Sequence, residues 1–429
     1  MSTQTIGIRE SKPAQASDFH APFIVAWAFC CLFFFIQYAL RSAPSVMLPE
    51  LTKAFGLSTA GLSSLIGLYF YTYAVFAVIA GASLDRWGGK YTIPFGALLL
   101  AVGTGMFAIG GEGTAAVGRL LQGAGAAYAF IAAVYLASHG LPARYLATAI
   151  GITQCFGMLG GSAGQFITAP LIHGPIPWQQ FWLYSGIVTL LIAAAMYVVT
   201  PREDQPATPQ SASSRSGFWS AFTPYKTVLT NPQSYLCGLI GGMLFLPTTV
   251  GAMTWGVSFL EHGWGVDYTH AVDRAATVAF GWVFGCPILG YLADHIGRRK
   301  PVIFAGSAVM LLATLAIYYL PGETFPPYVL AFLLGFASGA AMIPYSTIKE
   351  VNPDNAKGSA TGAMNFIVFV LSGLLGPAYG SWLQKLADGG PLTEEIFSKT
   401  GSVFVAAIVI ALVATLFLRE TGSAAREAK

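Results

Sequence analysis

The segment GASLDRWGGK at residues 81–90 recurs in altered form as GYLADHIGRRK at residues 290–300. Each copy has a glycine, an aspartate four positions later, a second glycine three positions after the aspartate, and then basic residues. The copies start 209 positions apart in a chain of 429 residues. A second pair of similar triplets, ATA at 147–149 and ATG at 360–362, starts 213 positions apart. Two matches at nearly equal offset indicate an internal duplication.

The segments that flank both copies are long and apolar. Hydrophobic residues make up 55% of the chain and charged residues only 10%, whereas a soluble domain has about 25% charged residues. A membrane-spanning helix needs about 20 apolar residues. Candidate runs begin near residues 22, 60, 91, 114, 146 and 180 in the first half and near 234, 272, 301, 327, 359 and 400 in the second. We therefore predict an all-α, polytopic membrane protein with twelve transmembrane helices.

One polar stretch predicts how the chain is divided. Residues 201–231 begin PREDQPATPQSASSRSG, which is too poor in apolar side chains to pack. We interpret this stretch as a linker between two six-helix halves. The predicted divisions are a cytoplasmic tail at 1–21, an N-terminal six-helix bundle at 22–200, the cytoplasmic linker at 201–231, a C-terminal six-helix bundle at 232–418 and a cytoplasmic tail at 419–429.

The distribution of lysine and arginine predicts the orientation, because cytoplasmic loops of membrane proteins are enriched in both. With both termini and the linker in the cytoplasm, 16 of the 22 basic residues lie on that side and 4 lie outside. Arg41 and Arg119 fall within spans. The first residues are too polar for a signal peptide. The expected location is the bacterial inner membrane, with both termini cytoplasmic.

Three motifs resemble those of the major facilitator superfamily. The duplicated loop is similar to the family's G-x-x-x-D-[RK]-x-G signature, and RLLQGAG at 119–125 is similar to its fourth-span motif. GLLGPAYG at 373–380 resembles its G-x-x-x-G-P-x-x-G pattern. The resemblance covers about residues 22–418 and implies two pseudo-symmetric six-helix bundles, the major facilitator fold. Gly89 and His295 depart from it, since the family usually has a basic residue at both places.

The resemblance implies a gating role for the duplicated loops, at the cytoplasmic ends of spans two and eight. A carboxylate there, from Asp85 or Asp294, can pair with loop bases and cap the start of a neighbouring helix. In the family such contacts hold the two halves together in the outward-open state; the alternative is a tight turn whose basic flank only reflects topology. Lys349 and Glu350, at the cytoplasmic end of span ten, are expected to form a charge pair at an inner gate. The candidate gating residues are Gly81, Asp85, Arg86, Gly88, Arg119, Gly290, Asp294, Gly297, Arg298, Lys349 and Glu350.

Arg119 lies near the outer start of span four. A charged side chain in the bilayer interior costs about 2.5–3.5 kcal/mol on insertion scales, so this one should face protein or water. The resemblance implies that Arg119 partners span one and couples to protons or to conformational change. The alternative is an arginine that snorkels to the interface.

Arg41 is the residue that bears most on the substrate. It falls in QYALRSAPS, in the outer half of span one, and shares a helix face with Gln37 and Tyr38. Span one lines the central cavity in the family that this chain resembles. A guanidinium there can bind a carboxylate through two parallel hydrogen bonds. Alternatively, Arg41 snorkels to the outer interface or pairs with Glu50 or Glu112.

Aromatic and amide side chains in other spans are further candidates, although a single aromatic in a span more often packs or lies in the interface belt. The candidate substrate-binding residues are Arg41, Gln37, Tyr38, Tyr69, Tyr73, Tyr128, Gln154, Trp255, Trp282, Tyr345 and Asn365. The five cysteines lie in apolar runs without CxxC spacing, and the histidines form no HExxH motif. We therefore expect no metal, no cofactor and no catalytic residue.

The predicted function is a secondary active or facilitative transporter that moves a carboxylate-bearing organic anion or zwitterion by alternating access. The chain has no GxxxxGK[ST] loop, so it is not expected to hydrolyse ATP or to be an enzyme. The expected partners are the small-molecule substrate, a coupling proton or a counter-transported anion, and the lipid bilayer. We expect a monomer. The sequence has no stripe of basic residues of the kind that binds nucleic acid, so we expect no nucleic-acid partner.

Three other functions stay open at this point. Efflux of a hydrophobic compound or siderophore would suit an aromatic-rich cavity, but the fifth span lacks the Gly-Pro motif typical of drug/proton antiporters. An amino-acid or dipeptide uniporter is a second alternative. A membrane sensor or receptor, which would bind a ligand without flux, belongs to a different class.

Overall fold

The structure is a computed structural model that describes residues 19–57, 59–172, 174, 176–202, 222–321, 324–388 and 390–427. Most of the predicted N-terminal tail and most of the predicted linker lie outside the described residues. Within the described part, twelve helices are long and apolar enough to cross a membrane. The predicted all-helical, twelve-span architecture is therefore confirmed.

The spanning helices of the N-terminal half start within a few residues of the predicted positions. Short helices also follow the first and fifth spans, at Leu48–Phe55 and Thr168–Ile172. The spanning helices are α1 (Ala21–Ser42), α2 (Thr59–Trp87), α3 (Gly89–Ala108), α4 (Glu112–Gly140), α5 (Leu146–Phe166) and α6 (Trp178–Val199).

The C-terminal half repeats this order after a short helix at Thr223–Thr230. Its spans are α7 (Pro232–Ala252), α8 (Tyr268–Ile296), α9 (Lys300–Tyr319), α10 (Pro327–Glu350), α11 (Lys357–Ala387) and α12 (Glu394–Phe417). The outer end of α7, from Pro247 to Ala252, is a π-helix. Proline cannot donate to the helical hydrogen-bond ladder, which accounts for the change of pitch at its start.

The two halves meet along two helix pairs, α2 with α11 and α5 with α8. At both joints the first glycine of the duplicated loop allows backbones to touch. A Cβ at Gly81 would lie 2.6 Å from the carbonyl oxygen of Gly358 on α11, and one at Gly290 would collide with the carbonyl of Ala147 on α5. The second glycines, Gly88 and Gly297, have φ of 71° and 67°, a conformation that glycine adopts without strain.

Candidate transport site and cytoplasmic gate

Asp294, at the end of α8, caps the start of α5 in the other half. Its carboxylate accepts hydrogen bonds from the backbone N–H of Ala147 at 3.3 Å and of Thr148 at 2.7 Å, and from the Thr148 hydroxyl at 2.6 Å. The first N–H groups of a helix have no internal partner and carry partial positive charge. A carboxylate at this position therefore joins the C-terminal half to the N-terminal half.

Asp85, at the end of α2, makes the pseudo-symmetric contact with α11. Its two oxygens accept from the backbone N–H of Gly358 and of Ser359, both at 2.6 Å. Each half thus contributes one aspartate that caps a helix of the other half, at the end of the bundle that the charge distribution predicts to be cytoplasmic. The contacts have the capping geometry expected from the sequence, while the gating role stays a prediction.

The Arg299 side chain joins two acidic residues and one backbone carbonyl, that of Ala143 at 3.5 Å, at the α5–α8 joint. Its guanidinium donates to Asp294 and, at 2.8 Å, to Glu350 of α10. The side chain is 1% exposed. Burial opposes its charge, but the two carboxylates outweigh burial and raise the pKa of Arg299. The sequence predicted Arg298 as the gating arginine, and this prediction needs correction. Arg298 is exposed, whereas Arg299, the N-cap residue of α9, is buried.

Lys349 and Glu350 contact different groups rather than each other. The Lys349 ammonium donates to the backbone carbonyl of Val134 on α4 at 2.8 Å, across the interface between the halves. Glu350 pairs with Arg299. The expected charge pair between neighbours is replaced by two separate contacts, because successive residues on a helix point about 100° apart.

Arg86, another candidate gating residue, lies over the ring of Trp87, with its guanidinium carbon 5.7 Å from the ring centroid.

Tyr225 is a gate-side residue that the sequence analysis missed. It lies on Thr223–Thr230, within the predicted linker, and its hydroxyl donates to the carbonyl of Val78 on α2 at 2.8 Å. The same hydroxyl is close to Gly81 and to Gly362 of α11. Burial raises the pKa of Tyr225, and the nearby Asp85 carboxylate adds to this effect. A sequence signal was present in the group of aromatic residues near the end of the predicted linker, which consists of Phe218, Trp219, Phe222 and Tyr225.

Eight of the sequence-predicted residues come together between the halves. Arg41, Gln37 and Tyr38 extend from α1, and the others come from α2, α4, α10 and α11. We call this set the central cluster: Gln37, Tyr38, Arg41, Tyr69, Tyr73, Arg119, Tyr345 and Asn365.

Arg41 lies over an aromatic ring. Its guanidinium carbon is 3.9 Å from the centroid of the Tyr38 ring, and it is within electrostatic range of the hydroxyls of Tyr69 and Tyr73. Among the described residues no carboxylate forms an ion pair with Arg41. The alternative in which Glu50 or Glu112 neutralises it is therefore not what the structure contains.

Arg119 is fully buried, and its partners among the residues that the structure describes are neutral. It donates to the Gln122 amide oxygen at 2.7 Å and to the backbone carbonyl of Ile66 at 3.2 Å, and it lies 4.9 Å from the centroid of the Tyr69 ring. A side chain with 0% exposure does not snorkel to the interface. Its link to α1 is indirect, since the Tyr69 hydroxyl donates to the Gln37 amide oxygen at 2.7 Å.

Polar contacts in the central cluster cross from one half to the other. The Asn365 amide on α11 donates to the Tyr73 hydroxyl on α2 at 3.3 Å and accepts from the Tyr345 hydroxyl on α10 at 3.0 Å. Phe130 of α4 packs edge-on against Tyr345, with centroids 5.0 Å apart. Movement of one half against the other would therefore change the Asn365–Tyr73 and Phe130–Tyr345 contacts, whereas the Tyr345–Asn365 hydrogen bond lies within the C-terminal half.

The other sequence-predicted residues lie outside the cluster. Tyr128 is buried against Gly96 of α3, inside the N-terminal half. Trp255, beyond the π-helical end of α7, packs near Gly380 of α11. Gln154 and Trp282 are buried on α5 and α8, the two helices that meet at one joint between the halves.

Comparison with known proteins gives a consistent result. Residues 30–377 match the family model described as Major Facilitator Superfamily. A probable sulfoacetate transporter of Cupriavidus necator is 24% identical, over 82% of this chain and 85% of that protein. A cis,cis-muconate transport protein of Acinetobacter baylyi is 22% identical, over 90% and 94%. The solved structure of the E. coli fucose:proton symporter has a TM-score of 0.71 at 16% identity, covering 93% of this chain and 100% of that one.

Proposed function

This chain belongs to the Major Facilitator Superfamily, and on that premise we propose that it carries a carboxylate-bearing organic anion across the inner membrane by alternating access. The family and the relatives make it a multi-pass membrane transporter of small metabolites. The anionic nature of the substrate and the mechanism are the proposal.

The observation that carries the proposal is the pair of arginines, Arg41 and Arg119, for which the described part of the chain provides no carboxylate partner. Arg41 and Arg119 lie within the spans, and their partners are aromatic rings, an amide and a backbone carbonyl. An uncompensated charge in the membrane is costly, and an anion bound between these side chains would remove that cost. The two transport relatives named above are described as carriers of sulfoacetate and cis,cis-muconate, which are organic anions.

The cytoplasmic contacts support alternating access as the mechanism. The caps at Asp85 and Asp294 and the Lys349 contact with Val134 all join the two halves on the side that the charge distribution assigns to the cytoplasm. We propose that these contacts close that side and break when the halves rock around a midplane site. We also propose that residues 22–200 and 232–418 are the moving units and that both termini are cytoplasmic.

The charge balance favours a counter-transported anion over a coupling proton. Asp85, Asp294 and Glu350 lie at the ends of α2, α8 and α10, and all three are engaged in the contacts that join the halves. An anion bound at the two arginines would neutralise them in both directions of movement. In proteoliposomes, internal unlabelled anion should accelerate uptake of the labelled one, and a pH gradient alone should not drive it. Accumulation driven by a pH gradient would contradict anion exchange.

The test of the anion site is an uptake assay in proteoliposomes with the Arg41→Ala variant. We expect transport of the carboxylate substrate to fall by about 10- to 100-fold, since a hydrogen bond to a charged group contributes about 1.5–3 kcal/mol. Arg298→Ala is the matched control, because it removes an exposed arginine from the same protein. Unimpaired transport of every carboxylate by Arg41→Ala would disprove the anion site.

A further inference from the structure

Several buried donors near the middle of the molecule have no hydrogen-bond partner. Among the described residues they include the side-chain nitrogens of Gln37, Gln154 and Trp282 and the hydroxyl of Ser346. All four side chains are 3% exposed or less. A buried donor left unpaired costs about 1–3 kcal/mol. Such groups in a transporter are expected to find their partner on the substrate.

Gln154 and Trp282 lie at the same level on opposite sides of the joint between the halves. Helices α5 and α8 run in opposite directions, and Ala147 contacts Gly290 while Gly151 contacts Cys286. Four residues forward on α5 thus correspond to four residues back on α8. Four more residues along each helix place Trp282 opposite Cys155, the residue next to Gln154 and at nearly the same level, farther from the Asp85 and Asp294 caps.

This level is well separated from Arg41. On α1 and α5, which run in parallel, Thr153 bonds to Trp27 at 2.9 Å and Gly164 packs against Ala39. Since contacting residues on these two helices are about 125 positions apart, the level of Gln154 lies about twelve to thirteen residues, or about 18–20 Å at 1.5 Å per residue, from that of Arg41. The Arg41 side chain tilts toward the N-terminus of its helix, which shortens the gap. A ligand that reaches both groups is elongated.

The chemistry of the two free groups defines the far end of that ligand. An indole N–H can only donate a hydrogen bond, and the free Gln154 atom is also an N–H donor. Both therefore require an acceptor. The Trp282 ring is held against Phe245 of α7, with centroids 4.9 Å apart, so its N–H has a fixed direction.

We propose that the substrate is an elongated anion with a hydrogen-bond-accepting group at each end, such as a diacid. One acid group binds Arg41 in the N-terminal half, and the other accepts from Gln154 and Trp282 at the α5–α8 joint. This assignment rests on the proposed function and narrows its substrate class. A ligand without the second acceptor leaves both donors unpaired, which is the kind of mismatch that binding sites reject strongly.

The test compares acids of equal carbon number that differ in the second carboxylate. Binding of succinate and butyrate, and of adipate and hexanoate, is measured on purified protein by ligand-induced thermal shift. In the wild type, the diacid of at least one pair should bind about tenfold tighter than its monoacid or better. Trp282→Phe and Gln154→Leu should each reduce this preference about fivefold or more and leave the affinity for the monoacid unchanged.

Trp182→Phe is the matched control, because the buried Trp182 indole already donates to the Met47 sulfur. It should leave the preference for diacids intact. Equal binding of both acids to the wild type, or equal weakening of both by Trp282→Phe and Gln154→Leu, would overturn the second acceptor site. If neither acid of either pair binds, the proposed transport of carboxylates itself fails.

Discussion

The two joints between the halves are built from the same duplicated loop, yet among the described residues only the α5–α8 joint contains a buried ion pair. At the α2–α11 joint, Asp85 accepts two backbone hydrogen bonds, and the neutral Tyr225 hydroxyl lies beside it. At the α5–α8 joint, Asp294 makes the equivalent cap and is also held by Arg299, which binds Glu350. Duplication preserved the cap, and the surrounding residues diverged.

The difference matters for how the cytoplasmic side opens. Removing one partner of a buried ion pair is strongly destabilising, by about 3–5 kcal/mol, because it leaves a buried charge uncompensated. A cap made of backbone hydrogen bonds to a carboxylate contributes less, about 0.3–2 kcal/mol at a helix N-terminus. We therefore expect the α5–α8 joint to be the stronger of the two.

The largest effect is expected from Arg299→Ala. The substitution leaves the Asp294 and Glu350 carboxylates buried without their cation, so the free energy of unfolding should fall by about 3–5 kcal/mol. The measurement is thermal unfolding in detergent. Arg298→Ala, one residue away and exposed, should change little. Similar melting temperatures for the two variants would contradict the assignment of Arg299 to the joint.

A smaller effect is expected from Asp85→Asn. The amide oxygen can still accept one backbone hydrogen bond, but the charge opposite the start of α11 is lost. Stability should fall by about 1–2 kcal/mol, and a cysteine placed on the cytoplasmic side of α11 should react faster with a membrane-impermeant thiol reagent. Asp294→Asn should lower stability more than Asp85→Asn, because it also removes one of the two carboxylates that pair with Arg299. The reverse order would show that the α2–α11 joint is the stronger one.

The smallest effect is expected from Tyr225→Phe, which removes one hydroxyl and keeps the ring. The lost hydrogen bond to the Val78 carbonyl is worth about 0.5–1.5 kcal/mol. Thiol accessibility on the cytoplasmic side should rise slightly, with little change in substrate affinity. Tyr235→Phe, on an exposed position of α7, is the control. An effect as large as that of Asp85→Asn would show that this neutral contact, rather than the cap, dominates the joint.

Much of the fold followed from the chain itself. Hydropathy located all twelve spans because the bilayer imposes a minimum helix length, and the duplicated loop paired the two halves. Contacts within one helix face were also predictable, since Gln37, Tyr38 and Arg41 repeat at helical spacing. These features depend on local sequence alone.

The contacts between the halves could not be predicted in the same way. Whether Arg298 or Arg299 turns inward depends on where α8 ends, which is a shift of one residue. Lys349 and Tyr225 have partners more than 140 positions away, on helices of the other half. Only the packing of the two halves brings such groups together.

The most direct test of the central claim, that the bound solute is an anion held by Arg41, is a binding comparison of acids with amides of the same shape. Purified wild-type protein and Arg41→Ala are titrated with adipate and with adipamide, and binding is followed calorimetrically. The account predicts saturable binding of the acid to the wild type, a loss of at least about tenfold in Arg41→Ala, and no binding of the amide. Equal binding of acid and amide, unaffected by Arg41→Ala, would contradict it.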